Sequence, residues 1–151
     1  MTKILTESGL IERDYALHTE GDLSDRQIPS LQQATEDNLS TQSVWLDGDS
    51  DFDQLKPKLP ELNLIAIHFK AFTDGRGYSL AFRIRNELDY KGDLLACGDV
   101  LLDQLSFMKR VGFNQFWLRE DHPLAQALLR FNDFKDPYQQ SVTPDNALFE
   151  R

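Results

Sequence analysis

The stretch that decides the fold begins with Leu64-Ile65-Ala66-Ile67-His68-Phe69, passes through Phe72-Thr73-Asp74-Gly75-Arg76-Gly77-Tyr78-Ser79, and continues with apolar residues at Leu80, Ala81, Ile84 and Leu88. The first run is apolar almost without interruption, as a strand covered on both faces requires. The spacing after Ser79 marks one face of a helix. Two glycines flank an arginine where the strand hands over to the helix. Such a junction leaves backbone N–H groups pointing outward, and a guanidinium beside them favours an anion.

The same alternation extends in both directions. Upstream, Val44-Trp45-Leu46 reads as a short strand, and Phe52, Leu55 and Leu59 have helical spacing that Pro57 shortens or breaks. Downstream, Asp93-Leu94-Leu95-Ala96-Cys97 reads as a strand. Asp99 is placed to cap a helix that buries Leu101, Leu105 and Met108 and stops at Gly112. Phe116-Trp117-Leu118 is a further strand. Asp121 or His122, with Pro123, opens a last helix that buries Leu124, Ala127, Leu128 and Phe131. The expectation is an α/β fold of four β-α units with a mainly parallel sheet, either a small open sheet or half of a (β/α)8 barrel. Residues 1–42 show little periodicity and read as an irregular or β-rich N-terminal arm before an α/β domain over 43–151.

Composition narrows the function classes. The chain of 151 residues carries a formal net charge of -9, which opposes nucleic-acid binding, and no basic stripe offsets it. No run is long and apolar enough to span a membrane, and the first residues do not look like a secretory leader, so a cytoplasmic protein is expected. One cysteine, Cys97, excludes an intramolecular disulfide and a multi-thiolate zinc or iron–sulfur site. His18, His68 and His122 show no ligand spacing, so no metal is expected. The acidic run from Asp47 to Asp53 has Lys58, not Glu, at the twelfth position of a calcium loop; a solvated loop leading into a helix start is the simpler reading.

In either form of the fold, ligands sit at the carboxyl ends of strands. The candidate ligand-binding residues are therefore Asp74, Gly75, Arg76, Gly77 and Ser79, and the candidate acid/base residues are Asp99 and His122. The bland alternative is a tight turn with positive φ at Gly75 or Gly77, Arg76 bonded to Asp74 or Asp99, and Asp99 as a plain cap. A dinucleotide fingerprint is incomplete, because Leu80 stands at its third glycine position. Cys97 and His68 read as core residues, His68 with a hydrogen bond.

Three blocks in order, Phe72-x-Asp-Gly-Arg-Gly-Tyr-Ser, Gly98-Asp-Val-Leu-x-Asp-Gln-Leu and Met108-x-Arg-x-Gly-Phe, resemble DUF934, a bacterial family of unknown function. Its members are often labelled as oxidoreductases involved in sulfite reduction. The resemblance spans roughly residues 60 to 140; Lys70 and Leu95 depart from it, standing where the family has proline and arginine. The resemblance implies a role in sulfur assimilation; taken with the residues of the junction, the expectation is an accessory protein that binds a small anionic ligand or sulfite reductase through the Asp74–Ser79 loop with Asp99. Any siroheme or cluster would then belong to the reductase. The chain's own cofactor is left open, a nicotinamide or flavin included. An enzyme acting on a small anionic substrate and a structural interaction module, such as a homodimer, are the other two readings.

Overall fold

The computed structural model describes residues 2–19, 23–24, 27–71 and 73–118. In chain order the elements are β1 (Thr2–Thr6), β2 (Gly9–Arg13), β3 (Ala16–Leu17), β4 (Gln27–Ile28), α1 (Leu31–Glu36), β5 (Ser43–Leu46), two 3-10 turns (Phe52–Gln54 and Lys56–Glu61), β6 (Leu64–Phe69), α2 (Gly75–Asn86), β7 (Asp93–Gly98), a third 3-10 turn (Leu102–Gln104), α3 (Leu105–Val111) and β8 (Gln115–Phe116). The expected last helix lies outside the described residues.

Six strands form one sheet in the order β2-β1-β8-β7-β6-β5. Strands β5 to β8 are parallel, and β1 is antiparallel to both β8 and β2. The four parallel strands lie side by side in chain order. Right-handed crossovers that always step the same way place their connections on one face. The packing agrees. On that face Leu80, Ala81 and Ile84 of α2 and Leu105 and Met108 of α3 cover Ile65, Ile67, Phe69, Leu94, Ala96 and Phe116. The sheet is open among the described residues: the expected α/β fold with a mainly parallel sheet is present, and no barrel closes among them.

The arm takes its β-rich form. It contributes β1 and β2 to the sheet edge, and its following residues cover the second face. There Ile4, Ile28, Leu64, Ala66, Leu95 and Cys97 form a second core, flanked by half-buried Tyr15, Leu17, Trp45 and Trp117. Three bonds hold this cover down. The Trp45 backbone N–H donates to Pro29 O at 2.9 Å, Trp45 Nε1 donates to His18 O at 3.0 Å, and Tyr15 Oη donates to Gln115 Oε1 at 3.2 Å.

Two local expectations change. The helix expected over Phe52–Leu59 is a pair of 3-10 turns, because Pro57 and Pro60 remove the amide donors a continuous α-helix needs. Asp99 does not cap α3: the chain leaves β7 through Gly98 at φ +89, makes a 3-10 turn, and starts α3 at Leu105 behind Gln104, whose side chain makes no capping bond.

Candidate functional site

The junction after β6 behaves as a helix start with a built-in counter-ion. Asp74 is the N-cap of α2; its Oδ1 accepts from the Arg76 backbone N–H at 3.1 Å. The same carboxylate holds the Arg76 guanidinium at both oxygens, Nε at 3.0 Å and Nη2 at 3.2 Å. Arg76 Nη1 reaches across to Asp49 Oδ1 at 2.8 Å, in the loop after β5. Lys70, just beyond β6, holds the other oxygen of Asp49 at 3.1 Å and stands 3.9 Å from Asp47. Three carboxylates therefore face two cations at the carboxyl ends of β5 and β6.

Hydrogen bonds to these cations set the titration of the cluster. Lys70 and then Arg76 hold the Asp49 carboxyl below the usual carboxylate range, and Arg76 does the same to Asp74; Asp74 and Asp49 in turn raise Arg76. Asp49, Asp74 and Arg76 therefore stay ionised at neutral pH, and none of the three is poised to exchange protons there. The position where an external anion was expected is occupied by the chain's own carboxylates. Asp47 folds its loop locally, its Oδ1 accepting from the Asp49 N–H at 2.9 Å, and Asp51 caps the first 3-10 turn. The acidic run is thus a solvated loop leading into a helical start.

The two glycines have different reasons to be there, and neither has positive φ. A Cβ on Gly77 would lie 2.4 Å from the Phe69 ring; the glycine lets α2 approach β6. A Cβ on Gly75 would meet nothing within 4 Å. Gly48 is the hidden partner, since a Cβ there would lie 2.6 Å from Arg76 Nε.

The structure brings Asp74 and Arg76 together and adds Asp47, Asp49 and Lys70 to them. It does not join Asp99 to Arg76, whose partners are Asp74 and Asp49; the Asp99 backbone N–H donates to Phe69 O at 2.8 Å. Ser79 is exposed on α2 and turns away from the cluster into a groove beside α3. His122 lies outside the described residues. Cys97 is buried, its thiol pushed up to about 12 by desolvation, with Sγ 3.6 Å from Ile67 O. His68 departs from expectation: it is half-buried, makes no ring hydrogen bond among the described residues, and packs edge-on to Trp45 at 6.0 Å. Burial lowers its pKa.

Sequence reasoning missed the groove itself. Of about 370 Å³, it is lined by Tyr78, Ser79, Phe82, Arg83, Phe107 and Val111. Tyr78 packs against Phe107 with ring centroids 4.9 Å apart and planes tilted by 55°, and Tyr78 Oη donates to Gln104 Oε1 at 3.0 Å. Phe82 and Phe107 are 55% and 45% exposed. One pattern betrayed them: each is a large aromatic set one residue off the apolar phase of its helix, next to Ala81 and Met108, which are buried.

A family model described as "Bacterial protein of unknown function (DUF934)" matches residues 43–149, more than two thirds of the chain. Among curated proteins none matches. No helix among the described residues is long and apolar enough to cross a membrane.

Proposed function

The chain belongs to the DUF934 family, and from that premise we propose that it is a cytoplasmic accessory protein of assimilatory sulfite reduction that docks on the reductase. The sulfite assignment rests on the three sequence blocks that resemble the family. The docking assignment is carried by one observation: Phe82 and Phe107 stand exposed on neighbouring helices, across a groove that Tyr78 floors. Exposed aromatics grouped around a cleft are what interface anchors look like. The groove shares Tyr78 and Ser79 with the loop first singled out, so the contact surface shifts along α2 and does not leave it.

Binding of a small anion at Arg76 is the second reading. Its support is that Arg76 is 57% exposed at the rim of the sheet. An incoming sulfate or phosphate would have to displace Asp49 or Asp74, and three carboxylates would oppose it.

A native pull-down with purified sulfite reductase tests the first reading. The wild-type chain recovers the reductase, Phe82→Ser/Phe107→Ser does not, and Arg76→Ala does. Failure of the wild-type chain to recover it removes the accessory role. Loss only with Arg76→Ala moves the contact to the rim. A thermal-shift series with sulfate, phosphate, NADP and flavins tests the second; without a rise in melting temperature that Arg76→Ala abolishes, anion binding is discarded.

A further inference from the structure

His68 closes strand β6 one residue before its end, with its ring set against apolar neighbours. The ring packs edge-on to Trp45 at 6.0 Å and lies over Gly98, where a Cβ would come within 3.0 Å of both Cδ2 and Nε2. The residue beneath it therefore offers no side chain, and neither ring nitrogen has a hydrogen-bond partner among the described residues. A neutral imidazole tolerates that setting. An imidazolium carries two N–H donors and a charge, and it needs an acceptor.

Asp47 is the carboxylate that acts on the ring. Leu46 pairs with Ile67 in the parallel register of β5 and β6, so Asp47 and His68, each one residue further on, stand side by side at the carboxyl end of the sheet. The two oxygens of Asp47 are used unequally. Oδ1 accepts from the Asp49 N–H at 2.9 Å and faces Ser50 Oγ at 3.4 Å. Oδ2 has only the exposed Lys70 ammonium, 3.9 Å away, among the described residues, and Lys70 holds Asp49 more closely, at 3.1 Å. Asp47 and Lys70 are the two charged groups that act on His68. Cys97, its register partner on β7, keeps its proton to about pH 12 and is neutral.

We propose that His68 is a proton sensor for the rim of the sheet: on protonation its imidazolium takes Oδ2 of Asp47 from Lys70, while Oδ1 keeps the turn of the loop. The exchange replaces a loose contact at the surface by a charge-assisted hydrogen bond in a half-buried place, where such a bond is stronger. It also resets the charge of the rim. Three carboxylates against two cations leave one negative charge in excess; the imidazolium makes the cations three and balances them. Burial holds the transition below the ordinary histidine value, so the neutral form is resident at neutral pH.

Histidine ring signals in NMR spectra of the full chain, followed from about pH 8 to about pH 5 across the histidine range, test this. His68→Gln identifies the His68 signal by its loss. Asp47→Asn keeps an oxygen for the Asp49 N–H and removes the charge; it is expected to lower the His68 pKa by about 0.5 or more. Lys70→Met removes the competing cation and is expected to raise it. In the wild-type chain the backbone amide signals of Asp49 and Ser50 move with the His68 midpoint, and in His68→Gln that movement is gone. A His68 pKa unmoved by Asp47→Asn, or amide signals that do not follow the His68 midpoint, overturns the proposal. Should Asp47→Asn fail to fold, Lys70→Met decides, and a His68 pKa that does not rise in it overturns the proposal equally.

Discussion

Substituting alanine for each glycine of the Gly75-Arg76-Gly77 junction separates a packing requirement from a ligand requirement. At position 77 the new Cβ would lie 2.4, 2.7 and 3.0 Å from three atoms of the Phe69 ring. Comfortable carbon–carbon contact is roughly 3.5 to 4 Å, so helix and ring must separate by about 1 Å. The ring has little freedom to yield: Phe69 is 1% exposed and is fenced by Tyr78 and Phe113 at centroid distances of 5.1 and 5.9 Å. Overpacking of this kind costs about 1–3 kcal/mol, against a gain of at most about 1 kcal/mol for alanine over glycine in a helix. The net expectation for Gly77→Ala is a loss of about 1–2 kcal/mol, or roughly 2–8 °C in melting temperature for a domain of this size. Gly75→Ala meets open space and is expected to gain up to about 1 kcal/mol. Urea midpoints and thermal melts of the two variants therefore move in opposite directions. Equal shifts of the same sign would mean that the close approach of α2 to β6 is not what selects glycine at 77, and the packing account would fail.

The remaining predictions concern the other buried contacts. Arg85 donates to three carbonyls at 2.8 to 3.0 Å; Arg85→Ala is expected to cost about 3 kcal/mol by chemical denaturation, and Arg85→Lys to recover little of it, because one ammonium does not span the same fork. Cys97 holds its proton to about pH 12, whereas an unfolded thiol releases it near 8.5. The folded state therefore binds the extra proton above that pH, stability falls as pH rises from about 9 towards 12, and Cys97→Ala makes that decline shallower in urea titrations at stepped pH. His68 has the opposite sign: burial lowers its pKa, so the unfolded chain protonates first, and stability falls as pH drops below about 6.5. His68→Gln should flatten that acid limb, and an unchanged limb would place the titration elsewhere.

The parallel core was legible because its residues follow local rules. Strand β6 is apolar nearly throughout since it lies between β5 and β7 with both faces covered, and α2 keeps a helical period because only one face packs. Strand β1 escaped detection for a related reason. It sits inside the sheet between β2 and β8, so Ile4 and Leu5 are both buried on opposite faces and no alternation remains to be read. Asp99 misled because a carboxylate before a helical segment resembles a cap; the positive φ of Gly98, which brings a would-be Cβ to 2.4 Å from Phe69 O, is set by the neighbouring strand and leaves no local trace. The Arg76–Asp49 pair joins residues 27 apart, and no helical or strand period connects that separation.

The rim of this sheet carries the argument about function further than the family match does. In open α/β folds the carboxyl ends of parallel strands leave amide donors and loop side chains free for a ligand. Here Asp74 occupies the helix start, Asp49 takes the far edge of the same guanidinium, and Gly48 lets the loop lie against it. The three residues turn Arg76 from a ligand clamp into a tie between the loop after β5 and the start of α2. A tie of exposed ion pairs adds little to stability, typically under about 1 kcal/mol, yet it fixes where α2 begins. Helix α2 in turn places Tyr78, Ser79, Phe82 and Arg83 along one wall of the groove whose other wall is Phe107 and Val111 of α3. On this reading the Asp-Gly-Arg-Gly-Tyr-Ser block has one physical job with two ends: its charged half anchors a helix, and its Tyr-Ser half belongs to the surface that helix presents.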